Sequence, residues 1–293
     1  MLRHTHYLRL FILIMLGLCL PQMASAQLGR WGGESEPDMD TMVRTGRFSP
    51  FIEANYGLSR PRFEGYEGSF NTLGVMELKL GFAALDSVRA ALVSLDDRYA
   101  FVSYIGEDIR PSGAADEGEV SSELARFGFG NRLGYGYGRK GLTFEMYNQN
   151  SLNWTKLTPV EYDSMDPEAQ AIFDRYENSF RFGQLMEAGI KVHVIRSLAI
   201  SAGAEGAVIF PRTVFWPWLG SAMIYSGFQG ALQYFSEAIV ETSPVIGPAL
   251  HFLLKSAVSY GYYMALREDM AWPFGYETPL TVESFKLGAT ITF

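Results

Sequence analysis

The chain has 293 residues, with 24 Lys and Arg against 32 Asp and Glu, a formal net charge of −8. An acid excess without a long basic run excludes a nucleic-acid-binding surface, which needs clustered cations to meet phosphate. Apolar residues at 48 %, aromatics at 14 % and charged residues at only 19 % exclude a disordered chain; together with 30 glycines they point to an all-β protein with one face in an apolar medium.

Arg3 and Arg9 precede an uncharged run from Leu10 to Leu20, Pro21 ends the run, and Ala24-Ser25-Ala26 places small residues just before Gln27. Residues 1–26 therefore read as a cleavable secretory signal peptide, too short in its apolar part to span a bilayer comfortably. Cys19 is the only cysteine and leaves with that segment, because Leu18 is not the small residue a lipoprotein signal needs. An exported chain without thiols has no disulfide framework and no thiol nucleophile. His193 and His251 alone do not make a structural zinc site, so no metal and no cofactor are expected. Residues 27–47 are polar, with Gly32-Gly33 and Pro37, and read as a leader ahead of the domain at 48–293.

Period-two alternation starts in 48–59, with Ile52, Ala54, Tyr56 and Leu58 on one face and Phe51, Glu53, Asn55 and Gly57 on the other. In 70–83, Leu78, Leu80 and Phe82 oppose Glu77, Lys79 and Gly81. Residues 98–107 are apolar on both faces. In 124–138 one face carries Phe127, Phe129, Leu133, Tyr135 and Tyr137, with Asn131 the exception. The other carries Arg126, Gly128, Gly130, Arg132, Gly134 and Gly136. So many glycines on one face leave room for side chains crossing a narrow interior. Residues 142–154 follow across a tight turn, and 180–195 and 198–210 alternate in the same way across Arg196-Ser197.

From Trp216 to Ala265 the alternation stops. Ile224, Phe228, Leu232, Phe235 and Ile239 recur at helical spacing, Ser243-Pro244 reads as an N-cap followed by proline, and Leu250, Leu254 and Val258 continue the stripe. This predicts an α-helical hairpin inserted at about 214–270. Its stripes would be buried against each other, against a barrel mouth or in a lipid interface. Gln229, Gln233, several serines and three glycines argue against a lipid-spanning helix. Trp216-Pro217-Trp218 and Trp272-Pro273-Phe274 suit an interfacial collar or plain packing. Asp166-Pro167-Glu168 reads as a helix start within an exposed loop at 156–178, and the acidic stretch 108–122 as a second, solvated loop.

The last strand, 283–293, alternates strictly: Phe285, Leu287, Ala289, Ile291 and Phe293 against Lys286, Gly288, Thr290 and Thr292. It resembles the closing strand of bacterial outer-membrane β-barrels, which ends in Phe and serves as an assembly signal. The resemblance implies an all-β transmembrane antiparallel barrel in a Gram-negative cell outer membrane, porin-like in broad class, with 27–47 on the periplasmic side. It also implies outer-membrane lipid and the barrel-assembly machinery as partners, with the hairpin open to docking by another protein. The segments above count to eight strands, an even number that closes a barrel with both termini at one end. The run Val88–Val93, within a link expected to be a tight turn, leaves ten strands as the alternative.

The small-and-polar faces contribute Glu53, Glu77, Lys79, Arg126, Arg132, Glu145, Glu187, Lys191, Glu205 and Lys286 as candidate lumen charges. Five acids against five bases favour an internal ion-pair network over a pore, which more often carries one sign in excess. No catalytic residues are assigned. The reading is a non-catalytic structural, binding or narrow transport barrel. Two alternatives stand beside it. One is a lipid hydrolase or acyltransferase with His193 or His251 as base. The other is a soluble lipocalin-like carrier, whose apolar face points inward.

Overall fold

Eight strands pair each with the next and the last with the first: β1 Ser49–Phe63, β2 Leu73–Arg89, β3 Leu92–Gly106, β4 Ser121–Arg139, β5 Leu142–Val160, β6 Arg181–Ile195, β7 Leu198–Ile209 and β8 Leu280–Thr292. All neighbours are antiparallel, so the sheet closes with no free edge. Among the described residues three helices accompany them: α1 Pro167–Asp174, α2 Phe215–Thr242 and α3 Gly247–Glu268. The computed structural model describes residues 48–89, 91–111, 120–139, 142–162, 165–176, 179–195 and 197–293. The signal peptide and leader read in 1–47 lie outside the described residues, as does most of the acidic loop 108–122.

The ambiguous run at 84–97 resolves without adding strands. Both β2 and β3 continue through it, with Leu85 opposite Leu95 and Arg89 opposite Leu92. The count stays at eight because these arms are longer than the alternation implied; 98–107 was the upper part of β3 alone. The same lengthening takes β5 on to Val160. Strand ends are hard to read because residues beyond an apolar belt no longer need to alternate.

The start of β1, the carboxy terminus and the tight connections lie at one end of the barrel, here the turn end; the long connections lie at the other, the loop end. Phe293 N–H reaches Pro50 O at 3.0 Å and Thr292 N–H reaches Ser197 O at 3.0 Å, which fastens the carboxy terminus at the turn end. The alternation sorts side chains by medium. Ile52, Tyr56, Leu78, Leu80, Phe82, Val102, Phe127, Ile190, Ile200, Phe285, Leu287 and Ile291 are exposed on the outside. Their neighbours in sequence point in and are buried. A carrier of the lipocalin kind requires the reverse, with the apolar set inside.

The Asp-Pro-Glu run does start a helix. Asp166 Oδ1 accepts from the Glu168 and Ala169 N–H groups, both at 2.9 Å, with Pro167 in the first turn. The hairpin forms too, but its second arm begins three residues later than expected. Ser243-Pro244 lies in the turn itself, where Gly247 N–H bonds Ser243 O at 2.8 Å, and Pro248 takes the first-turn position of α3. Gly247 permits the tight reversal, since a Cβ there would come within 2.5 Å of the Val240 backbone.

Candidate functional site

All ten charges named from the sequence are inside the barrel, and none is more than 5 % exposed. Asp97, on the β3 segment whose alternation was obscure, joins them. Arg132 crosses the lumen from β4 to grip Glu53 with two parallel bonds, Nη1–Oε2 at 2.8 Å and Nη2–Oε1 at 2.7 Å. Its guanidinium lies 4.4 Å from the centre of the Tyr147 ring. Lys79 stands between Glu77 at 3.3 Å and Glu53 at 3.5 Å, and donates to Gln149 Oε1 at 3.0 Å. Lys191 meets Asp97 at 3.2 Å, and Arg126 meets Glu205 at 2.8 Å. At the turn end Glu145 faces His193 Nε2 at 3.1 Å.

Glu77, Glu187 and Glu205 bring carboxylate oxygens within 4.8 Å of one another, a spacing that fits a metal ion. The Lys286 ammonium already fills their centre. It lies 2.9 Å from Glu77 Oε1 and 2.8 Å from Glu187 Oε2, and it contacts Glu205 Oε2 as well. The triad is therefore balanced by the chain's own cations: Lys286 at its centre, Lys79 at 3.3 Å from Glu77 and Arg126 at 2.8 Å from Glu205. Ions taken out of water cost several kcal/mol each unless geometry and further hydrogen bonds compensate. Here each base meets at least one acid, and the amide of Gln149 joins Lys79, Arg132 and Glu187. Space for this crossing network comes from the inward glycines. A Cβ at Gly189 would come within 2.5 Å of Tyr147 Oη, and Tyr147 must lie across the lumen to donate to Glu187 at 2.7 Å.

Toward the loop end the lumen becomes apolar. Leu73, Val75, Ile105, Leu124, Leu157, Ile209, Leu280 and Val282 point inward and pack with Ala169, Ile172 and Phe173 of α1 and with Tyr176. The Tyr176 hydroxyl donates to Ile209 O and accepts from Leu280 N–H at 2.6 Å, tying the plug to the ends of β7 and β8. Asp166, which caps α1, accepts from Tyr66 Oη at 2.7 Å. That bond, with the two helix N–H groups, holds its carboxyl below the ordinary range. The lumen is thus filled by ion pairs at mid-height and by an apolar plug above them.

A second polar network lies outside the wall. On β4, β5 and β6 the outward positions include Asn131, Asn148, Asn150 and Gln184, which break the apolar belt. The hairpin covers them. Asn148 donates to Ser256 Oγ at 2.8 Å, Tyr225 Oη donates to Asn150 Oδ1 at 2.7 Å, and Tyr262 Oη lies 3.5 Å from Gln184 Oε1. Within the hairpin, Tyr225 stacks on Tyr262 with ring centres 4.3 Å apart, and Gln229 donates to Ser259 at 3.0 Å. Lys255 is buried and donates to Gln233 Oε1 at 2.8 Å. Of the places open to the apolar stripe, the wall is not the one it takes: the row that packs on the barrel is a mixed, largely polar one. The buried row of α2 is Trp218, Ser221, Tyr225, Gln229, Ser236 and Val240, whereas Phe228 and Phe235 are exposed. Polar residues face the wall because the wall is polar there. Of the expected aromatic collar, Trp218 is buried edge-on against Phe182 at 4.9 Å, and Trp216, Trp272 and Phe274 are exposed.

The two histidines are placed as follows. His193 lies beside Glu145. His251 Nδ1 lies 2.6 Å from Ser236 Oγ, across the hairpin, with Tyr135 edge-on to its ring. Ser236 is fully buried and also bonds Leu232 O at 2.6 Å, the back-bonding usual for serine within a helix. A buried hydroxyl engaged in this way offers no approach to a substrate. Where α3 meets β6–β8, a cleft of about 570 Å³ opens outward, lined by Met186, Ala188, Ala204, Gly206, Tyr260 and Tyr263 among others.

The fold is that of the small closed eight-stranded antiparallel barrels, as the ladder of strand pairs shows. Solved structures similar to it include Neisserial surface protein A, at 10 % identity and a TM-score of 0.37 over 84 % of this chain and 99 % of that one. Ail, the attachment invasion locus protein of Yersinia pestis, is similar at 8 % identity and a TM-score of 0.32 over the same shares. The CymD monoaromatic hydrocarbon channel is similar at 12 % identity and a TM-score of 0.18, over 55 % of this chain and 60 % of that one. No family model and no curated protein matches the chain. Likenesses at these scores carry no argument about role; the barrel is read from its own strand pairing.

The outward amides and the hairpin seam are the features that the sequence reading missed. Asn131 did stand out as an exception in its strand. Asn148-Gln149-Asn150 is a polar run within 142–154, and the pleat sends Asn148 and Asn150 out and Gln149 in.

Proposed function

We propose that this protein is an integral outer-membrane β-barrel with a non-conducting, non-catalytic role, a structural or binding element of the membrane rather than a transporter. The observation that carries the reading is the filled lumen. Ten charges read from the sequence, each at most 5 % exposed, leave no aqueous column at mid-height, and α1 closes the loop end. The apolar exterior is what a bilayer requires of strands whose backbone groups are all paired in a closed sheet. On this reading residues 1–26 direct export. The outward row Phe285, Leu287, Ala289, Ile291 and Phe293 faces lipid and acts as the signal read by the assembly machinery.

Two measurements test it. Washed outer membranes run on a detergent gel with and without boiling should show a mobility shift of a folded barrel; protein recovered in the periplasmic fraction without a shift overturns the location. Purified barrel in a planar lipid bilayer should give no steady conductance above the lipid baseline. An ohmic conductance that follows protein dose overturns the non-conducting role and makes the lumen network the wall of a conduit.

A further inference from the structure

The hairpin runs along the outside of the barrel from one end to the other. At the turn end Tyr137 Oη donates to Val245 O at 2.7 Å, in the loop between the two helices. Going up α3, His251 packs on Tyr135, Ser256 bonds Asn148, Tyr262 approaches Gln184, Tyr263 donates to Glu283 at 3.3 Å, and Arg267 pairs with Glu64 at the loop end. With 28 residues α2 is about 42 Å long, and with 22 residues α3 is about 33 Å long. Either length matches or exceeds a hydrocarbon core of about 30 Å.

The charge distribution follows the same frame. Between Phe215 and Ser236 there is no Asp, Glu, Lys or Arg, and from Gly247 to Leu266 only Lys255, which is buried against Gln233. Glu237 and Glu241 fall in the last turns of α2, and Arg267 and Glu268 at the end of α3. The outward face between these limits carries Met223, Phe228, Phe235, Leu253 and Tyr260, all exposed, beside the exposed belt of the strands. Neither helix is long and apolar enough to cross a membrane by itself. The reason is that its polar residues are used against the wall, where they meet the outward amides.

We propose that the outward face of the α2–α3 hairpin is a lipid-contacting surface, so that this barrel presents to the acyl chains a wall made partly of strands and partly of two helices. The inference rests on the membrane reading above. Its occupant is bilayer hydrocarbon rather than water or another protein, because the face continues the belt, is free of charge over the same height and, apart from the hydroxyls of Tyr234 and Tyr260, keeps its fully exposed positions apolar.

The test uses the full-length chain, which has no cysteine after Cys19. Single substitutions Phe228→Cys, Phe235→Cys and Leu253→Cys carry a nitroxide label in reconstituted bilayers. Leu80→Cys and Val102→Cys report the strand belt, and Glu67→Cys reports water. Collision with dissolved oxygen, which concentrates in lipid, is compared with collision against a water-soluble nickel chelate. The expected result is an oxygen-to-nickel ratio at the hairpin sites equal to that of the belt sites and several-fold above that of Glu67→Cys. Nickel access at the hairpin with a protected belt overturns the proposal while leaving the barrel in the membrane. Labels on the hairpin that are immobile and shielded from both agents overturn it in favour of a covering protein, whether a second copy or a partner. Nickel access at the belt sites overturns the membrane reading itself.

Discussion

Inside the barrel the buried polar network is built on ion pairs, with amides such as Gln149 and Asn55 set between them; between the hairpin and the wall the buried polar groups are almost all amides and hydroxyls. The difference follows from what surrounds each. The lumen is enclosed on every side by one sheet, so an acid on β1 can meet a base from β4 across the axis, as Glu53 meets Arg132. The seam lies between the wall and the hairpin and, on the reading above, opens to lipid along its edges. A charge there has fewer directions from which to be paired, and neutral groups cost less if a bond is missed. The two regions therefore solve the same problem of dry polar atoms by different chemistry. Without the hairpin, Asn148, Asn150 and Gln184 would face the exterior unpaired.

Removing the hairpin is the severest way to break this comparison. Joining Thr213 to Ala271 strips partners from three outward amides, each worth about 1–3 kcal/mol when left unsatisfied in a dry site. The expected outcome is a barrel that folds poorly into lipid, read as loss of the heat-modifiable band. Adding Asn148→Leu, Asn150→Leu and Gln184→Leu should restore it. A deletion that folds as well as the intact chain would show the seam to be dispensable. Next in size is Arg132→Met, which leaves Glu53 buried without its bidentate partner. A cost of about 3–5 kcal/mol is expected for breaking a buried pair, measured as a lower urea midpoint of unfolding from detergent or lipid. The double variant Arg132→Met with Glu53→Gln should recover most of it, and no recovery would mean that Arg132 acts by packing on Tyr147 instead. The smallest effect is expected from Ser256→Ala, which removes one neutral hydrogen bond, that from Asn148, at about 1 kcal/mol. A loss as large as that of Arg132→Met would erase the distinction between the two networks.

Much of the barrel was legible before any coordinates, and the reason is geometric. A strand side chain has only two directions, so a medium on each side writes a period of two into the sequence. Phe285 to Phe293 and Phe127 to Tyr137 carry that record plainly, and the even strand count follows from the segments. The lumen charges were legible for the same reason, since an ionisable residue opposite an apolar row can only point inward. Asp97 escaped because it falls at the end of 84–97, which reads as a link between strands. Residues 84–97 were obscure because they extend past the belt, where the rule that produces alternation ceases to act.

The sequence by itself determined which stretches hold the eight strands, which of their faces is apolar and that the interior charges nearly balance. Only the tertiary structure decided who pairs with whom: that three carboxylates converge on Lys286, that α1 plugs one end, and that the hairpin lies on the wall with its polar row inward. The physical reason is that alternation is a local property imposed by the medium on each residue separately. Pairing across a lumen, or between a helix and a distant strand, depends on register around a closed sheet. A helix pattern shows that one side is apolar, but it does not say whether that side meets a core or a membrane. For this hairpin the deciding fact was a row of asparagines on strands about a hundred residues away in the chain.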